Sequence, residues 1–296
     1  MFRLAHLSDP HLGPLPQPRL RELAGKRITG YMNWRRGRDR VHDMALLERL
    51  VLDMKAQGPD HIACTGDLIN IGLHGEFAAA KKFLERLGPP DKVSFVPGNH
   101  DAYVRTSMRD VERYLAPWMS TDSGRYEGFP YVRMVGPVAL VGVSSAVPTG
   151  PFVASGTLGV EQRGKIETVL GFLSQQPLAR VVLIHHPPYR GGTGAGRGLT
   201  DATAFEELLG RTGAELILHG HNHVTSVNRV AGPKGPIPVV GVPSCSAVRG
   251  TLTHRAGYHL FEIDLTESGP LITGRTRGLI PGGEIGEIGD LGPLPI

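Results

Sequence analysis

The fold class that the sequence predicts is an α/β sandwich of mixed sheets. Short apolar runs alternate with segments of helical periodicity as far as residue 209, and strands without helices follow. Alternating strand and helix units form parallel sheets covered by helices, whereas consecutive strands pair antiparallel. Gly and Pro are also abundant, at 40 and 24 of the 296 residues. Their combined share exceeds the usual value of about 12%, which predicts a loop-rich chain.

The individual elements follow from the spacing of apolar residues. A short apolar run predicts a buried strand, while apolar residues three or four positions apart, such as Met44, Leu47 and Val51, predict a helix. Gly88 marks the end of the second helix. The predicted helices span residues 44–54, 76–87, 160–173 and 202–209, and the predicted strands span residues 2–7, 61–65, 93–96, 138–143, 181–185, 216–218, 224–230, 239–242, 258–263 and 271–276.

The chain is long enough to bury one sizeable core and shows no internal repeat. We therefore expect residues 1–280 to form a single domain. From Pro281 onward the sequence is rich in Gly and Pro and mildly acidic, so residues 281–296 are predicted to be a flexible tail.

Composition and charge exclude several classes of protein. The formal net charge of +4 is too small for a protein that coats nucleic acid. The longest apolar runs are far shorter than the ~20 residues of a membrane-spanning helix. The two cysteines, Cys64 and Cys245, are too few for a disulfide-stapled secreted scaffold. Because the start of the sequence shows no secretory signal, we expect a cytoplasmic protein.

Five short polar segments carry the chemistry of the sequence. Each follows an apolar run, at the point where a predicted strand ends and a loop begins. Loops from neighbouring strands converge at that edge of an α/β sheet, so their side chains are expected to meet in one site. The segments are Asp9-Pro10-His11, Gly66-Asp67, Gly98-Asn99-His100-Asp101, His185-His186-Pro187 and Gly220-His221-Asn222-His223.

The residue types in these segments predict a metal site. Carboxylate, carboxamide and imidazole groups without a thiolate suit manganese, iron, zinc and cobalt ions. Seven candidate ligands are too many for one ion, whereas two ions about 3.5 Å apart can share a carboxylate and a bridging hydroxide. Asp-x-His and His-x-His spacings direct alternate side chains to the same side of an extended segment. Gly66, Gly98 and Gly220 allow a sharp turn just before a ligand.

From Asp9 to His223 the series resembles the calcineurin-like metallophosphoesterases, over about three quarters of the chain. The resemblance implies a four-layer α/β/β/α sandwich with two divalent ions at its loop edge. It implies one ion held by Asp9, His11 and His223, a second held by Asn99, His185 and His221, and Asp67 bridging both.

The resemblance also implies a reaction, the hydrolysis of a phosphodiester. The two ions would lower the pKa of a bridging water, and the resulting hydroxide would attack the phosphorus in line. His100 would steady the phosphate oxygens or protonate the leaving group, and Asp101 would orient His100 or a metal ligand. The spacing from Gly66 to Gly72 and on to Glu76 is most similar to bacterial class III cyclic-nucleotide and glycerophosphodiester phosphodiesterases. The expected partner is therefore a small-molecule phosphodiester.

Residues 19–40 concentrate positive charge, with eight basic and two acidic residues. Apolar residues such as Leu20, Ile28 and Met32 interleave with the basic ones. Because the segment begins soon after His11, we expect it to overhang the metal centre. Three interpretations stay open: a cap that attracts an anionic substrate, an amphipathic contact with anionic lipid, or an ordinary solvated helix.

Other functions are open alongside the phosphodiesterase. The lipid interpretation corresponds to the UDP-2,3-diacylglucosamine hydrolases of the same superfamily, which cleave a pyrophosphate in an amphiphilic substrate. The modest net charge disfavours a nuclease, and the complete set of candidate ligands disfavours a non-catalytic scaffold. The glycine-rich segment 190–198 predicts a flap beside His185, with Arg190 or Arg197 reaching a phosphate.

Overall fold

Two six-stranded mixed sheets form the centre of the computed structural model, which describes residues 1–37, 40–267 and 269–294. Arg38 and Asp39 of the basic segment lie outside the described residues. The helices are α1 (Lys26–Arg35), α2 (Met44–Ala56), α3 (His74–Leu87), α4 (Arg105–Leu115), α5 (Gly159–Leu173) and α6 (Ala202–Thr212). The strands are β1 (Phe2–Leu7), β2 (His61–Cys64), β3 (Val93–Phe95), β4 (Tyr131–Val135), β5 (Val138–Gly142), β6 (Ala179–Leu183), β7 (Leu216–His219), β8 (Ser226–Val230), β9 (Ile237–Gly241), β10 (Gly257–Thr266), β11 (Gly269–Leu279) and β12 (Ile285–Pro293).

Both sheets combine parallel and antiparallel strands. The first has the order β12-β11-β10-β1-β2-β3, in which β1, β2 and β3 are parallel and β10, β11 and β12 form an antiparallel meander. The second has the order β4-β5-β6-β7-β9-β8, in which β5, β6, β7 and β9 are parallel and the edge strands β4 and β8 are antiparallel. The predicted sandwich of mixed sheets is confirmed.

Two hydrophobic cores show how the two sheets and the helices are layered in the sandwich. Val181 and Leu183 of β6 belong to the main core, together with residues of the first sheet. Val182, between them, packs with residues of α5 and α6 in a second core. Successive side chains of a strand point to opposite faces, so the second sheet is buried on both. Leu50 of α2 and Phe77 of α3 join the main core from the helical layer on the first sheet.

The carboxyl ends of the parallel strands of both sheets meet at one edge. Ser8, directly after β1, pairs with Ser244, after β9, in an isolated parallel bridge. The backbone N–H of Cys245 donates to the Ser8 carbonyl at 3.0 Å, and that of Asp9 donates to the Gly66 carbonyl at 2.9 Å. The Ser8–Ser244 bridge and the Cys245 bond join the loops of the two sheets, and the Asp9 bond joins the loops that follow β1 and β2 of the first sheet. All five polar segments lie at this edge.

Two helices in the structure are not predicted by apolar spacing. Helix α1 lies in the basic segment, and Trp34 is its one buried residue. Its inner face contacts a polar loop, where Arg27 Nε donates to the Ile71 carbonyl at 3.3 Å. Helix α4 buries few residues, and one of them is the polar Ser107. Among the described residues, none of the helices combines the length and apolar character needed to cross a membrane.

The C-terminal segment differs from the expected flexible tail. Strand β12 pairs antiparallel with β11 at the edge of the first sheet. Leu294 is buried, and Ile285 and Leu291 pack partly against the main core. Glycine is tolerated here because backbone hydrogen bonds hold an edge strand, whose register is irregular at two places. This strand corrects the expectation of a loosely docked tail for residues 285–293.

Candidate metal centre

The structure brings all seven candidate ligands together at the carboxyl edge of the sheets, beside a cavity that four of them line. Six of the seven side chains are buried, and His223 is partly exposed. The cavity has a volume of about 400 Å³, which lies in the range of small-molecule sites. It is lined by Val41, His42, Asp67, Asn99, His100, Ala154, Arg197, His221 and His223.

The backbone is strained where these side chains converge. Five candidate ligands adopt the left-handed region, which residues other than glycine rarely occupy. Such conformations cost on the order of 1 kcal/mol each and concentrate at functional sites. Among the described residues, Phe152 is the one other non-glycine residue with a positive φ. The φ angles are +55° at Asp9, +41° at His11, +55° at Asp67, +67° at His221 and +53° at His223.

Two glycines allow the loops to approach closely. Gly66 precedes Asp67 with a φ of +103°, and a Cβ placed on it would lie 2.5 Å from the backbone nitrogen of Gly98. A Cβ on Gly98 would collide with the Asp67 carboxylate and lie 2.7 Å from the ring of His185. A larger residue at either position would therefore displace a candidate ligand.

Asp9, His11 and His223 form the first group of potential ligands. His223 Nε2 lies 3.1 Å from Asp9 Oδ1 and 3.3 Å from His11 Nε2. His11 Nε2 lies 3.9 Å from Asp9 Oδ1 and 3.9 Å from Asp67 Oδ2. One donor atom from each residue of the group lies within 4.8 Å of the others, so a single ion can contact all three.

Asp67, His185 and His221 form the second group, and Asn99 adds an amide oxygen. Asn99 Oδ1 lies 2.9 Å from His221 Nδ1 and 3.2 Å from His185 Nε2. His185 Nε2 lies 3.3 Å from His221 Nδ1 and 3.4 Å from Asp67 Oδ2. The Asp67 carboxylate therefore faces a histidine of each group.

The tautomers of His11 and His185 show that the donor set fits metal ions. A carbonyl oxygen only accepts, so His11 Nδ1 donates to the Ile69 carbonyl at 3.3 Å and His185 Nδ1 donates to the Thr65 carbonyl at 2.6 Å. In a neutral imidazole Nε2 then carries a lone pair. Both Nε2 atoms face carboxylate oxygens and other acceptors, which repel one another unless a cation lies between them. The residues present fit two divalent ions.

The electrostatics of the site also favour a bound cation. Burial by itself lowers the pKa of His185, but the Asp67 and Asp9 carboxylates outweigh it and raise that pKa to about 9. Burial also disfavours the charged form of Asp67, yet the neighbouring His185 and His100 hold its pKa well below the usual range. The cluster therefore favours positive charge at its centre, either as a proton or as a metal ion.

His100 lies in the wall of the cavity with its ring fixed. Its Nδ1 donates to the Asn70 carbonyl, and the ring meets His11 edge-on, with centroids 4.9 Å apart. The buried Glu76 carboxylate holds the Asn70 loop, because it accepts from the backbone N–H of Asn70 at 2.6 Å and of Leu73 at 2.8 Å. Since Nδ1 donates to a carbonyl, Nε2 is the ring atom whose protonation can change.

Asp101 is fully buried beneath the ligands, and burial together with the Asp67 charge raises its pKa to about 7. Its carboxylate fixes the two loops that carry Asp67 and Asn99. The sequence offers two roles for it, and these contacts fit the orientation of a metal ligand rather than of His100. The backbone N–H groups that donate to it are those of Asp67 (2.8 Å), Leu68 (3.0 Å), Ile69 (3.3 Å) and Gly98 (2.8 Å).

Replacing Asp101→Asn should lower both stability and metal affinity. The amide nitrogen cannot accept, so buried N–H groups lose their partner, at a cost of about 1–3 kcal/mol in the free energy of unfolding. Loosening of the Asp67 loop should weaken metal binding by roughly 10–100-fold. Urea denaturation of the metal-free protein and a metal titration measure the two effects.

Glu215→Gln is the matched control for Asp101→Asn. The buried Glu215 carboxylate also accepts several N–H bonds, from the backbone and guanidinium of Arg180, but it lies away from the cavity. The control should be destabilised without a change in metal affinity. Equal metal affinity in both variants would show that Asp101 has only a structural role.

No signal in the sequence marks His42, although it lines the cavity. Its ring centroid lies 4.7 Å from that of His11, and its Nδ1 lies 2.8 Å from Ser246 Oγ. His42 follows the basic segment and not a strand, so it lacks the strand-end signal that marks the other histidines.

The glycine-rich segment 190–198 lies beside the cavity, as predicted. Arg197 lines the cavity, whereas Arg190 forms an ion pair with Glu206 at 3.2 Å. Asn222, between two candidate ligands, donates from Nδ2 to the Gly192 carbonyl at 2.7 Å. The residue between the two histidines therefore ties this segment to the metal centre.

A comparison with known families agrees with this geometry. A family model described as calcineurin-like phosphoesterase matches residues 2–225, about three quarters of the chain. The chain belongs to this family. The resemblance in the strand-end segments is thereby confirmed at the level of the family, whose members are metal-dependent phosphoester hydrolases. The phosphodiesterase subgroup stays a prediction.

Solved structures share the fold at low sequence identity. A dimetal phosphatase from Danio rerio has a TM-score of 0.58 at 15% identity, with 97% of this chain and 98% of that chain covered. A purple acid phosphatase from yellow lupin has a TM-score of 0.58 at 14% identity, with 94% and 51% covered. A 5′-nucleotidase precursor from Thermus thermophilus has a TM-score of 0.51 at 18% identity, with 93% and 54% covered.

The chain spans about half the length of the lupin and Thermus proteins. No curated protein sequence matches it significantly. At these identities the structural likeness shows the fold alone, so the substrate has to be argued from the site.

Proposed function

We propose that the chain hydrolyses phosphodiesters with two divalent metal ions. The observation that carries this proposal is the position of Asp67, whose Oδ2 lies 3.9 Å from His11 Nε2 and 3.4 Å from His185 Nε2. A carboxylate between two groups of imidazoles is the arrangement that a pair of ions can share. The first ion is assigned to Asp9, His11, His223 and Asp67, and the second to Asp67, Asn99, His185 and His221.

The residues around the ligands have separate tasks in this reaction. When bound, the two ions would lower the pKa of a shared water and offset the negative charge of the phosphate. His100 donates a proton from Nε2 to the leaving oxygen. General acid catalysis of this kind raises the rate by ~10²–10⁴-fold. Asp101 is a positioning residue, because its contacts hold the backbone of the Asp67 loop.

A diester, such as a cyclic nucleotide or a glycerophosphodiester, is the proposed substrate class. The spacing from Gly66 to Gly72 and on to Glu76, which resembles that of the class III phosphodiesterases, supports it. Among proteins of similar fold are phosphatases and a 5′-nucleotidase, so monoesters are the first competitors to test. Manganese, iron, zinc and cobalt are all candidates for the ions.

Three further parts of the proposal come from the sequence. We propose that residues 1–280 act as one catalytic domain, to which β12 adds an edge strand. A cytoplasmic location stays a prediction. Hydrolysis of a pyrophosphate in an amphiphilic substrate is a second candidate function, and it is favoured by the exposed Ile28 and Met32 of α1.

Turnover of a substrate panel by the metal-loaded protein tests the proposal. The panel contains bis-p-nitrophenyl phosphate, p-nitrophenyl phosphate, cyclic AMP, a glycerophosphodiester, UDP-diacylglucosamine and single-stranded DNA. We expect metal-dependent cleavage of a diester that is lost in Asn99→Ala. A preference for the monoester or for DNA would overturn the substrate class, and two bound ions without any turnover would favour a scaffold.

Arg197 is proposed to contact a phosphate oxygen of the substrate. It lines the cavity and makes no ion pair with any described residue. Its loop is anchored on both sides, because the backbone N–H of Ala154 donates to the Gly196 carbonyl at 2.9 Å and that of Gly156 donates to the Gly198 carbonyl at 3.1 Å. A charged hydrogen bond to the phosphate is worth about 1.5–3 kcal/mol.

Arg197→Ala should therefore raise KM for the best diester by roughly tenfold or more, with a smaller change in kcat. Arg190→Ala is the matched control, because Arg190 lies in the same segment but pairs with Glu206. Steady-state kinetics on both variants measure the effect. Equal KM values in the two variants would show that Arg197 does not contact the substrate.

A further inference from the structure

Two segments that contact each other carry exposed apolar side chains. In α1 and the turn before it, Leu20 is 90% exposed, Ile28 49% and Met32 45%. In the loop of residues 149–153, Phe152 is 85% exposed and Val153 is 37% exposed. We name these five side chains, with the arginines that flank them in residues 19–36, the rim surface.

The contacts of Lys26 place both segments at the mouth of the cavity. Lys26 Nζ, at the start of α1, donates to Thr149 Oγ1 at 2.9 Å and to the Val153 carbonyl at 3.4 Å. Lys26 Nζ also lies 4.5 Å from the centroid of the Tyr103 ring, which stacks on His100 with centroids 5.7 Å apart, so this helix end lies near the metal centre. Ala154, directly after the loop, lines the cavity.

Helix α1 has apolar residues on both of its faces. Ile28, Met32 and Arg36 are spaced four residues apart, so they lie on one side of the helix, and all three are exposed. On the inner side Trp34 is buried and Tyr31 packs against a small apolar cluster. A surface helix of a globular protein normally turns its apolar residues inward, so the outer apolar residues are not explained by the fold.

Phe152 is unusual in its backbone as well as in its exposure. Its φ of +62° is costly for a bulky side chain. The five other non-glycine residues with positive φ in the described chain are candidate metal ligands. Because the ring is largely exposed, packing within the molecule does not offset this strain. Strained residues of this kind are concentrated where a protein binds something.

The polar part of the rim surface is basic. Arg19, Arg21, Arg35 and Arg36 are exposed, and none forms an ion pair with a described residue. Glu22 is the one acidic residue of residues 19–37, and it accepts from the backbone N–H of Arg19 at 2.8 Å. Apolar side chains within a basic border complement the acyl boundary and the anionic headgroups of a lipid surface.

We propose that the rim surface docks on an anionic lipid bilayer and places the metal cavity at the level of the headgroups. Phe152 and the side chains of Ile28 and Met32 on α1 enter the boundary of the acyl chains, while the arginines meet the headgroup phosphates. Docking itself does not depend on catalysis. Its consequence for the substrate class, a phosphoester in an amphiphilic molecule, rests on the proposed function.

Co-sedimentation of the full chain with lipid vesicles tests the docking. One set of vesicles contains phosphatidylcholine alone, and the other contains phosphatidylcholine with phosphatidylglycerol. We expect the protein to bind the mixed vesicles, to bind the neutral ones weakly, and to dissociate as the salt concentration rises. Equal binding to both sets, or no binding to either, would overturn the proposal.

Two variants separate the apolar and the basic contributions. Asparagine tolerates a positive φ, so Phe152→Asn preserves the fold, and it should weaken vesicle binding roughly tenfold at every salt concentration. Arg35→Gln and Arg36→Gln should each weaken it about fivefold and reduce its dependence on salt. The matched controls are Phe172→Asn on α5, where the ring is 69% exposed, and Arg229→Gln on β8. Neither should change binding.

Phe152→Trp gives an independent readout, since Trp34 and Trp118 are both buried. The fluorescence of a tryptophan at 152 should shift to the blue when mixed vesicles are added. If Phe152→Asn instead dissolves a dimer and leaves vesicle binding unchanged, the rim surface joins two copies of the chain and the lipid proposal is wrong.

Hydrolysis of bis-p-nitrophenyl phosphate in the absence of vesicles separates the two proposals. The rim variants should hydrolyse it at the rate of the unaltered protein. Vesicle binding without hydrolysis would contradict the proposed function alone. Hydrolysis without vesicle binding would contradict the docking alone.

Discussion

Replacing Asp67→Asn should reduce the bound metal from two ions to one or fewer and lower kcat for the best diester by at least about 10³-fold. The amide removes the negative charge that two groups of ligands share, while its oxygen can still accept from the backbone N–H of His100, as Asp67 Oδ1 does at 2.7 Å. Metal-assisted charge stabilisation contributes several kcal/mol, and each 1.36 kcal/mol corresponds to about tenfold in rate.

Metal content by elemental analysis and thermal unfolding measure this prediction. Ligands that bind only the folded state raise its stability, so metal should raise the Tm of the unaltered protein by more than that of Asp67→Asn. Asp53→Asn is the matched control, because Asp53 pairs with Arg277 and Tyr258 away from the cavity. The control should bind two ions. Full metal content in Asp67→Asn would show that Asp67 does not bridge.

Replacing His100→Asn should lower the rate in a way that depends on the leaving group. An alkoxide needs a proton as it departs, so cleavage of a cyclic nucleotide or a glycerophosphodiester should slow by roughly 10²–10⁴-fold. The p-nitrophenolate ion leaves without a proton, so bis-p-nitrophenyl phosphate should lose less than about tenfold. A difference between the two substrates identifies His100 as a general acid.

The metal content of His100→Asn has to be measured beside its kinetics. His100 also lies within ligand distance of His11 and Asp67, so a loss of metal would assign it to the metal centre instead. We expect two ions to remain bound. Equal losses on both substrates with full metal content would point to phosphate binding rather than proton transfer. His74→Asn, which changes an exposed histidine away from the cavity, controls for general effects.

The sequence predicts the candidate site well because its signal is local. Each candidate ligand follows a buried strand, and parallel strands bring their carboxyl ends to one edge whatever the details of the loops. The helices with clear apolar spacing and all described strands except the edge strands β4 and β12 are predicted for a similar reason. Asp67 and His185, far apart in sequence, meet at 3.4 Å because β2 and β6 end at this edge.

The other parts of the fold and of the site depend on tertiary contacts, which the spacing of residues along the sequence does not predict. Helix α1 packs on loops through Arg27 and Trp34, so its sequence lacks an apolar stripe. Strand β12 is held by backbone hydrogen bonds to β11, which leave little trace in the side chains. His42 and Arg197 reach the cavity from loops whose course is set by the tertiary fold.

The central claim is that two ions at the shared carboxylate hydrolyse a phosphodiester. Its most direct test is a titration of the metal-free protein with Mn²⁺, in which bound ions per chain and hydrolysis of bis-p-nitrophenyl phosphate are measured on the same samples. We predict little activity with one ion bound, full activity with two, and none in Asp67→Asn at any Mn²⁺ concentration. Full activity with a single ion, or two bound ions without hydrolysis of any phosphodiester, would contradict the account.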